Sequence, residues 1–339
     1  MITDTDTTTS IVAATPAPPP GFRRQALVEH FLEGLDRKTR AEYGRALERF
    51  VEFVTAAYEL TVTDERVLED WFLCLPDGGA ANEVALRWRA ELQKTYAPKT
   101  VNQRLSALRS LVKVAKLVGR VPWTLDVKNV KAKAFRDTRG TGYEGYRKLL
   151  TANQDKHGDT PLGRRNRALL RLLFDLALRK DSVLSLRLCD VDVKEPDHGT
   201  VRPLFKHRGR HDSNREVCSL PEPTRKALAA WLDVHPLAAF SGGTDPLFVG
   251  LDRASKFGPL SPKGAWEIVR DLGEAAGIKA WPHALRHASA THALNRTAGD
   301  IRSVQKFMRH ASPATTMIYD DARKDMAGEV ARLIAGSDD

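Results

Sequence analysis

The chain contains little cysteine. Its three cysteines, Cys74, Cys189 and Cys218, lie far apart among 339 residues and form no C-x-x-C pair. An odd number of widely spaced cysteines predicts neither a disulfide framework nor a cysteine-based zinc site. We therefore expect a protein of a reducing compartment, and the cytoplasm fits best.

Long hydrophobic runs are absent too. No uninterrupted apolar stretch approaches the roughly 18 residues that a membrane span needs. The first residues are acidic and rich in threonine, unlike a signal peptide. The sequence also contains no internal repeat and no glycine-rich phosphate loop of the G-x-x-x-x-G-K type. We expect a soluble protein inside the cell, with no membrane partner.

What the chain does contain is positive charge. The formal net charge is +10 and 42% of the residues are hydrophobic, which at this length allows two domains with cores of their own. A basic chain is attracted to polyanions, and nucleic acid is the simplest of these. Because many basic proteins bind no acidic partner specifically, the charge alone does not identify a partner and the motifs must decide.

The pattern of apolar residues divides the chain into four segments. Residues 1–21, rich in threonine and then in alanine and proline, are predicted to be a disordered arm. Residues 22–125 carry apolar positions at helical spacing and predict a helical domain. Residues 126–142 are basic, lack periodicity and end near two glycines, which indicates a linker. Residues 143–339 are predicted to form a second domain.

The second domain is predicted to be mostly helical with a small antiparallel sheet. The apolar sequence from Asn166 to Leu188 predicts a pair of helices, and the alternation from Gly199 to Leu220 around a polar turn predicts a β-hairpin. The segment Ala322–Ala335 places apolar residues on one face of an amphipathic helix. The predicted fold class is therefore mainly α, with a helical domain followed by an α+β domain.

Two predicted helices of the first domain begin at a threonine with basic neighbours. Such residues commonly contact phosphate groups at helix N-termini, although a solvated charged face explains the same residues equally well. The candidate DNA contacts are Lys38, Thr39, Arg40, Lys99, Thr100, Asn102 and Arg104.

The last part of the chain carries residue types suited to phosphodiester transfer. His283 and Arg286 lie one helical turn apart, and His310 and Tyr319 follow. The reaction needs an in-line nucleophile, neutralisation of the non-bridging oxygens and a proton for the leaving oxygen. Acidic clusters suited to magnesium are not evident near these residues, which favours arginine, whose planar fork can donate two hydrogen bonds to one phosphate. We expect no metal and no other cofactor.

These residues carry a resemblance to a known family. The stretch Leu176–Asp192, which contains Arg179, resembles the first arginine box of the tyrosine recombinases, also known as the phage integrase family. The second box of that family is similar to His283-x-x-Arg286, His310 and Tyr319, including the nine-residue step between the last two.

The resemblance covers nearly the whole chain after the arm. It implies that residues 22–125 form the family's helical core-binding domain, which contacts DNA. It also implies that residues 143–339 form the catalytic domain with a C-terminal amphipathic helix. The expected partner is double-stranded DNA.

The resemblance implies a role for each site residue. Arg179 and Arg286 would clamp the scissile phosphate, while Tyr319 would attack it to give a 3′-phosphotyrosine and a free 5′ hydroxyl. A phenol with a pKa near 10 is mostly protonated at pH 7, so His283 would accept its proton. His310 would hydrogen-bond the phosphate.

A lysine on the β-hairpin would protonate the leaving oxygen in this family. Lys206 is the only lysine of the predicted hairpin. The turn that follows, from His207 to Asn214, is longer than the usual one, so Arg208 or Arg210 could occupy the phosphate side instead. All three residues are candidates.

Two local departures from the family pattern stand out. The acidic residue common three positions after the first arginine is replaced by Ser182, with Asp181 one place earlier. The glycine usual before the last histidine is Arg309. Neither departure removes a predicted catalytic group.

The resemblance implies a site-specific DNA recombinase in which four protomers act on two duplexes and the last helix docks into a neighbour. Two alternatives use related features: a type IB topoisomerase that relaxes DNA as a monomer, and a DNA-binding protein that kept the fold and lost cleavage. The core-binding helices and the C-terminal amphipathic helix favour the recombinase over the topoisomerase.

Overall fold

The chain divides into two compact units, Met1–Phe135 and Arg136–Asp339. The predicted arm, residues 1–21, lies outside the part that can be described. The structure, a computed structural model, describes residues 27–61, 64, 66–131, 141–194, 199–205, 215–239, 243–321, 328 and 334–335.

The first unit is helical, as the apolar periodicity predicts. Short π-helical and 3₁₀ turns at Val67–Trp71 and Phe72–Cys74 separate its second and third helices. The α-helices are α1 (Leu27–Glu33), α2 (Arg37–Ala57), α3 (Gly78–Thr95) and α4 (Pro98–Leu117).

The starts of α2 and α4 lie two residues earlier than predicted. Asp36 caps α2, because its side chain accepts hydrogen bonds from the backbone N–H groups of Lys38 and Thr39. Helix α4 has Pro98 in its first turn, where the missing N–H costs nothing. Thr39 and Thr100 are therefore third residues of their helices and do not cap them.

The predicted apolar stripes of α2 and α4 form the core of the first unit. Phe50 packs edge-to-face on Phe72 and on Trp88, with ring centroids 4.9 Å apart in both pairs. Leu105 and Leu108 of α4 are fully buried in the same cluster. Helical spacing alone therefore identified the centre of this unit.

Part of the predicted linker packs onto the first unit. Val127 is buried in its core, and the Nη1 atom of Arg109 donates a hydrogen bond to the Val127 carbonyl, 3.1 Å away. Residues 132–140 are outside the described part, and Gly142 already begins the next helix. The predicted linker of residues 126–142 thus includes Val127, which packs on the first unit, and Gly142, which belongs to the next helix. Its boundaries stay a prediction.

The second unit is α+β and mostly helical. Its strands are β1 (Val191–Asp192), β2 (Thr200–Val201) and β3 (Cys218–Ser219). Its helices are α5 (Gly142–His157), α6 (Pro161–Asp175), α7 (Lys180–Leu184), α8 (Glu222–Leu232), α9 (Pro262–Ala275), α10 (Pro282–Arg296), α11 (Ile301–Met308) and α12 (Pro313–Asp321).

The small sheet is antiparallel, in the order β1-β2-β3. Thr200 pairs with Ser219 and Val201 with Cys218, so the predicted hairpin is confirmed. Strand β1 was not predicted, because a strand of two residues is too short to show an alternating pattern. Together with the helices, this sheet confirms the predicted fold class.

The core of the second unit is centred on α6. Leu169, Leu170, Leu172 and Leu173 are all fully buried, so the second half of this helix is covered on several sides, as the apolar sequence after Asn166 predicts. Tyr146 of α5 stacks on Phe174, with ring centroids 3.9 Å apart.

A smaller apolar cluster joins the segment after α6 to the last helices. It contains Ala177, Leu294 of α10, Val304 and Met308 of α11, and Tyr319 of α12. These contacts bring the predicted catalytic segments together.

The predicted C-terminal amphipathic helix falls almost wholly outside the described residues. Of its apolar face, only Ile334 is described, and it is exposed. Met326, Val330 and Leu333 are not described. Of the helices in the described ranges, none has both the length and the apolar character of a membrane span.

Candidate active site

Arg179 stands on the turn between α6 and α7. Its own backbone is extended, and its carbonyl accepts from the Val183 N–H at 3.0 Å, so it is the first residue before α7. Two positions earlier, Ala177 has a left-handed φ of 49°, a conformation that residues with a Cβ rarely adopt. This kink points the Ala177 carbonyl into the protein and places Arg179 after the helix end, as the sequence predicts.

Helix α10 supplies His283 and Arg286. Pro282 occupies its first turn, and the three-residue spacing puts the imidazole and the guanidinium on neighbouring positions of one face. His283 is exposed, whereas Arg286 is 2% exposed. The two predicted residues therefore differ in access to solvent.

The guanidinium of Arg286 joins two other segments of the unit. Its Nη1 atom donates a short hydrogen bond to the Ala177 carbonyl, and its Nη2 atom donates to the Met308 carbonyl at 2.5 Å. Both acceptors are neutral, and no carboxylate pairs with Arg286 among the described residues. Two carbonyls from separate segments thus hold its planar group in place.

Burial, and then the nearby positive charge of Arg179, lower the pKa of Arg286 to about 9. The guanidinium remains charged at neutral pH. Two buried or half-buried positive groups that face each other without an anion destabilise the free protein. A phosphate diester between Arg179 and Arg286 would remove that repulsion, so the site favours a bound anion.

His310 lies in the turn after α11. Its backbone N–H donates to the Gln305 carbonyl at 3.0 Å, and the Gln305 side chain donates back to the His310 carbonyl at 3.0 Å. The Nδ1 atom lies 2.9 Å from the hydroxyl of the buried Thr316. These three contacts fix both the backbone and the ring of His310.

The pKa of His310 falls to about 4, chiefly because of burial and then because of the positive Arg286 and Arg179 nearby. The imidazole is therefore neutral at pH 7. A neutral ring with one nitrogen engaged by Thr316 can use the other for a hydrogen bond. It can serve a phosphate oxygen without adding a third positive charge.

Tyr319 of α12 is 5% exposed and lies between two histidines. Its ring is nearly parallel to that of His310, with centroids 5.9 Å apart. The centroid of the His287 ring lies 5.0 Å from that of Tyr319. The His287 and His283 ring centroids are in turn 4.3 Å apart. The structure thus brings the predicted nucleophile beside the predicted phosphate-binding imidazole.

His287 is a site residue that the sequence interpretation did not select. It stands between Tyr319 and His283, because its ring contacts the rings of both. The available signal was its i,i+4 spacing from His283 on the same helix. That spacing puts His287 on the His283 face, although only tertiary packing shows that Tyr319 lies beyond it.

One pocket collects the basic residues from the first box and from α10. Two exposed tryptophans on its rim, Trp266 and Trp281, were not predicted as site residues. In the described part of the chain, no group of three or more His, Cys, Asp and Glu side chains is arranged to hold a metal ion. The pocket is lined by Leu178, Arg179, Lys180, Trp266, Trp281, Pro282, His283 and Arg286.

Lys206, Arg208 and Arg210 lie outside the described residues, but the base of their hairpin is described. The carboxylate of Asp190 is fully buried there and pairs with Nη1 of Arg215 at 2.8 Å. Nη2 of Arg215 donates to the Ser185 carbonyl at the end of α7. The hairpin is therefore anchored directly to the segment that carries Arg179.

The predicted DNA contacts of the first unit divide into two groups. Asn102 is fully engaged with Val130, because its Nδ2 atom donates to the Val130 carbonyl at 2.9 Å and its Oδ1 accepts from the Val130 N–H at 2.7 Å. Arg40 donates to the Leu32 and Glu33 carbonyls at the end of α1. These two side chains hold the unit together, which a prediction from residue type could not reveal.

The other candidates keep more freedom. The Thr39 hydroxyl donates to Asp36 at 2.6 Å, and the Arg104 guanidinium lies over the Tyr96 ring, 3.7 Å from its centroid. Thr100 is half-buried, whereas Lys38 and Lys99 are exposed. Lys38 and Lys99 are the candidates best placed to meet a polyanion.

Comparison with known proteins identifies the family. Residues 144–326 match the model of the phage integrase family. A tyrosine recombinase of Synechocystis sp. is 34% identical over 320 residues, which cover 93% of this chain and 96% of that protein. One from Synechococcus elongatus is 38% identical over 269 residues, covering 78% of this chain and 80% of that protein.

Solved structures show the same fold. The XerH site-specific recombinase bound to difH substrate, a pre-cleavage complex, matches with a TM-score of 0.61 at 18% identity, covering 88% of this chain and 81% of that one. The Tn1549 transposon integrase in complex with transposon right end DNA matches with a TM-score of 0.58 at 17% identity, covering 91% and 100%. The chain therefore belongs to the phage integrase family of tyrosine recombinases.

Proposed function

We propose that this protein is a site-specific DNA recombinase that cuts and rejoins strands through a covalent bond to Tyr319. The observation that carries the proposal is the convergence of side chains from separate segments of the second unit. Arg179 comes from the turn before α7, Arg286 from α10 and His310 from the turn after α11. Tyr319 reaches them from α12.

In the proposed step, the Tyr319 oxygen attacks the scissile phosphorus and the bond to the 5′ oxygen breaks. Arg179 and Arg286 neutralise the charge that builds up on the non-bridging oxygens. The products are a 3′-phosphotyrosine and a free 5′ hydroxyl, so the bond energy is kept and no nucleotide is consumed. Reversal of the step on another strand rejoins the DNA.

Two protons must move in this step. The phenol proton leaves through His287 to His283, since His287 stands between Tyr319 and the exposed His283. The leaving 5′ oxygen takes a proton from the hairpin, where Lys206 is the first candidate and Arg208 and Arg210 are the others. Neutral His310 donates a hydrogen bond to a phosphate oxygen.

The proposed substrate is double-stranded DNA. Related recombinases were solved with DNA, including XerH on difH and a lambda integrase dimer on a COC′ core site. For this chain, the net charge of +10 and the exposed Lys38 and Lys99 support the same substrate. Action on DNA would place the protein in the cytoplasm.

A trapping assay with Y319F tests the proposal. Wild-type protein is incubated with nicked duplex pools in EDTA and denatured, and protein–DNA adducts are sequenced to recover the site. We expect adducts from the wild type, none from Y319F, and equal DNA affinity for both, because phenylalanine lacks only the attacking oxygen. Y143F, a change at an exposed tyrosine of the same unit, serves as the matched control and should keep its adducts.

Other outcomes would point to the alternatives. Binding without any adduct would favour a DNA-binding protein that has lost cleavage. Adducts without sequence preference, together with relaxation of supercoiled DNA by the monomer, would favour a type IB topoisomerase.

Assembly into a tetramer on two duplexes is part of the proposal and has its own test. The amphipathic sequence from Ala322 to Ala335 is the candidate docking element. A chain that ends after Asp325 should bind a single duplex normally and lose most of the paired-duplex complex on a native gel. An unchanged paired complex would contradict the assignment of this segment.

A further inference from the structure

Arg309 occupies a backbone position that normally requires glycine. Its φ of 52° and ψ of 48° are left-handed, and it ends α11 immediately before His310. Glycine is favoured there because any Cβ is crowded in this conformation. An arginine at this position destabilises the local backbone, so we expect contacts of its side chain to offset that loss of stability.

The side chain of Arg309 binds the sheet. Its Nε atom lies 3.3 Å from the Glu216 carboxylate, and its Nη2 atom donates to the Cys218 thiol of β3 at 2.9 Å. The guanidinium also lies over the Phe205 ring, 4.7 Å from its centroid. Three side chains around the hairpin base therefore hold one arginine.

The same side chain also closes onto its own helix. Its Nη1 atom donates to the Phe307 carbonyl at 2.9 Å. All three nitrogens thus donate to protein acceptors, and Glu216 balances the charge. Arg309 is therefore poorly suited to bind a phosphate itself, in contrast to Arg286, whose acceptors are neutral.

We infer that Arg309 is a positioning residue that anchors the His310 turn to strand β3 and so holds the His310 imidazole beside Tyr319. Gln305 ties His310 to α11, Thr316 holds the His310 ring and Arg286 binds the Met308 carbonyl. Arg309 adds the attachment of this turn to the sheet. Without it, the turn is held by the helices alone and loses its restraint against β3. This inference rests on the proposed function of His310 and Tyr319.

The test compares R309G with A298G. Ala298 has a left-handed φ of 51° in the exposed turn between α10 and α11, so A298G relieves the same kind of backbone strain away from the site. Single-turnover cleavage and DNA affinity are measured on a duplex with the site recovered from the trapped adducts. We expect R309G to cleave at least tenfold more slowly with DNA affinity within twofold, and A298G to match the wild type.

Two further measurements separate positioning from general stability. E216Q should slow cleavage in the wild type. It should have no further effect in R309G, because both changes remove the same contact between Arg309 and Glu216. The R309G defect should persist on a duplex with a 5′-bridging phosphorothiolate, whose sulfur leaves without a proton, because His310 acts on the phosphate and not on the leaving group. R309K, which keeps the charge next to Glu216, should recover part of the rate.

Three results would overturn the inference. They are a wild-type cleavage rate in R309G, rate losses of R309G and E216Q that multiply, and a defect that disappears on the phosphorothiolate duplex. None of them resembles failure of the proposed function, in which the wild type itself forms no adduct through Tyr319.

Discussion

The two units use the same kinds of polar side chain for different purposes. In the first unit, Asn102 and Arg40 satisfy backbone groups of neighbouring segments and thereby hold the helices together. In the second unit, Arg179 and Arg286 lie close enough for one charge to lower the pKa of the other. Such polar side chains serve the structure in the first unit and are proposed to serve chemistry in the second.

The difference lies in what each group has as a partner. A donor that meets a protein acceptor stabilises the fold by about 1 kcal/mol. Like charges held together in a buried place are unfavourable until an anion arrives, and such groups cluster at functional sites. Charge without a counter-charge in a fixed position is therefore a better indicator of a site than residue type.

The largest effect should follow from R286K, which breaks the second half of this contrast. Lysine keeps a charge but has one terminal nitrogen, so it cannot hold the Ala177 and Met308 carbonyls and also serve a phosphate. We expect single-turnover cleavage to fall by roughly 10² to 10³-fold while DNA binding changes little. The measurement is quenched cleavage of a nicked duplex.

R147K is the matched control for that change. Arg147 of α5 is exposed and lies 3.6 Å from the Glu144 carboxylate, and it is not among the residues that line the pocket. Its replacement should leave cleavage unaltered. Cleavage by R286K at the wild-type rate would remove Arg286 from the proposed site.

A smaller effect is expected from N102A, which tests the first half of the contrast. The variant leaves the N–H and carbonyl of Val130 without their partners, so the free energy of unfolding should fall by about 1 to 3 kcal/mol. The dependence of DNA affinity on salt should not change. Urea denaturation and a salt titration of binding measure the two quantities.

K99A should behave in the reverse way. Lys99 is exposed, so its loss should leave stability unchanged and reduce the slope of log affinity against log salt by about 1. If N102A changed the salt slope and K99A did not, the division of the first unit into structural and DNA-contacting residues would be wrong.

The smallest effect concerns pH and His310. Its pKa is about 4 in the folded protein against about 6.5 when unfolded. Between these values the unfolded chain binds a proton that the folded protein refuses, so stability falls as pH drops from about 6.5 to about 4. The charged and titratable groups near the ring are Arg286, Arg179, His287, His283 and Tyr319.

H310Q should lose this part of the pH dependence. Relative to wild type, its unfolding free energy should become more favourable to the folded state as pH falls through that window, by at most about 1.4 kcal/mol per pH unit. Chemical denaturation at several pH values measures the difference. A constant difference across the window would show that His310 does not titrate abnormally.

Much of the fold could be predicted because it depends on local patterns. Helical spacing of apolar residues over 22–125 predicted a helical domain, whose core contains Phe50 and Leu105, and alternation around a polar turn predicted the pairing of β2 with β3. The apolar sequence from Asn166 to Leu188 likewise predicted two helices, which are α6 and α7. Strand β1 was missed, since two residues carry no period.

The site was predictable only as residue types. Five residues in the right order gave the segments that meet, but His287 and the two tryptophans entered through packing that no spacing reveals. The structural contact of Asn102 was not foreseen for the same reason: its partner Val130 lies 28 positions away. The sequence identifies candidate residues within one helix or strand. Contacts between helices and strands decide which of those side chains remain available to bind DNA.

The kink at Ala177 carries one more consequence. Because its carbonyl and that of Met308 fix the Arg286 guanidinium before any DNA is present, the ordering of this side chain is completed during folding. Binding then requires no search among rotamers at the centre of the site. The repulsion between Arg179 and Arg286 lowers the stability of the free protein. The fixed guanidinium would in turn make the binding of a phosphate fast and geometrically selective.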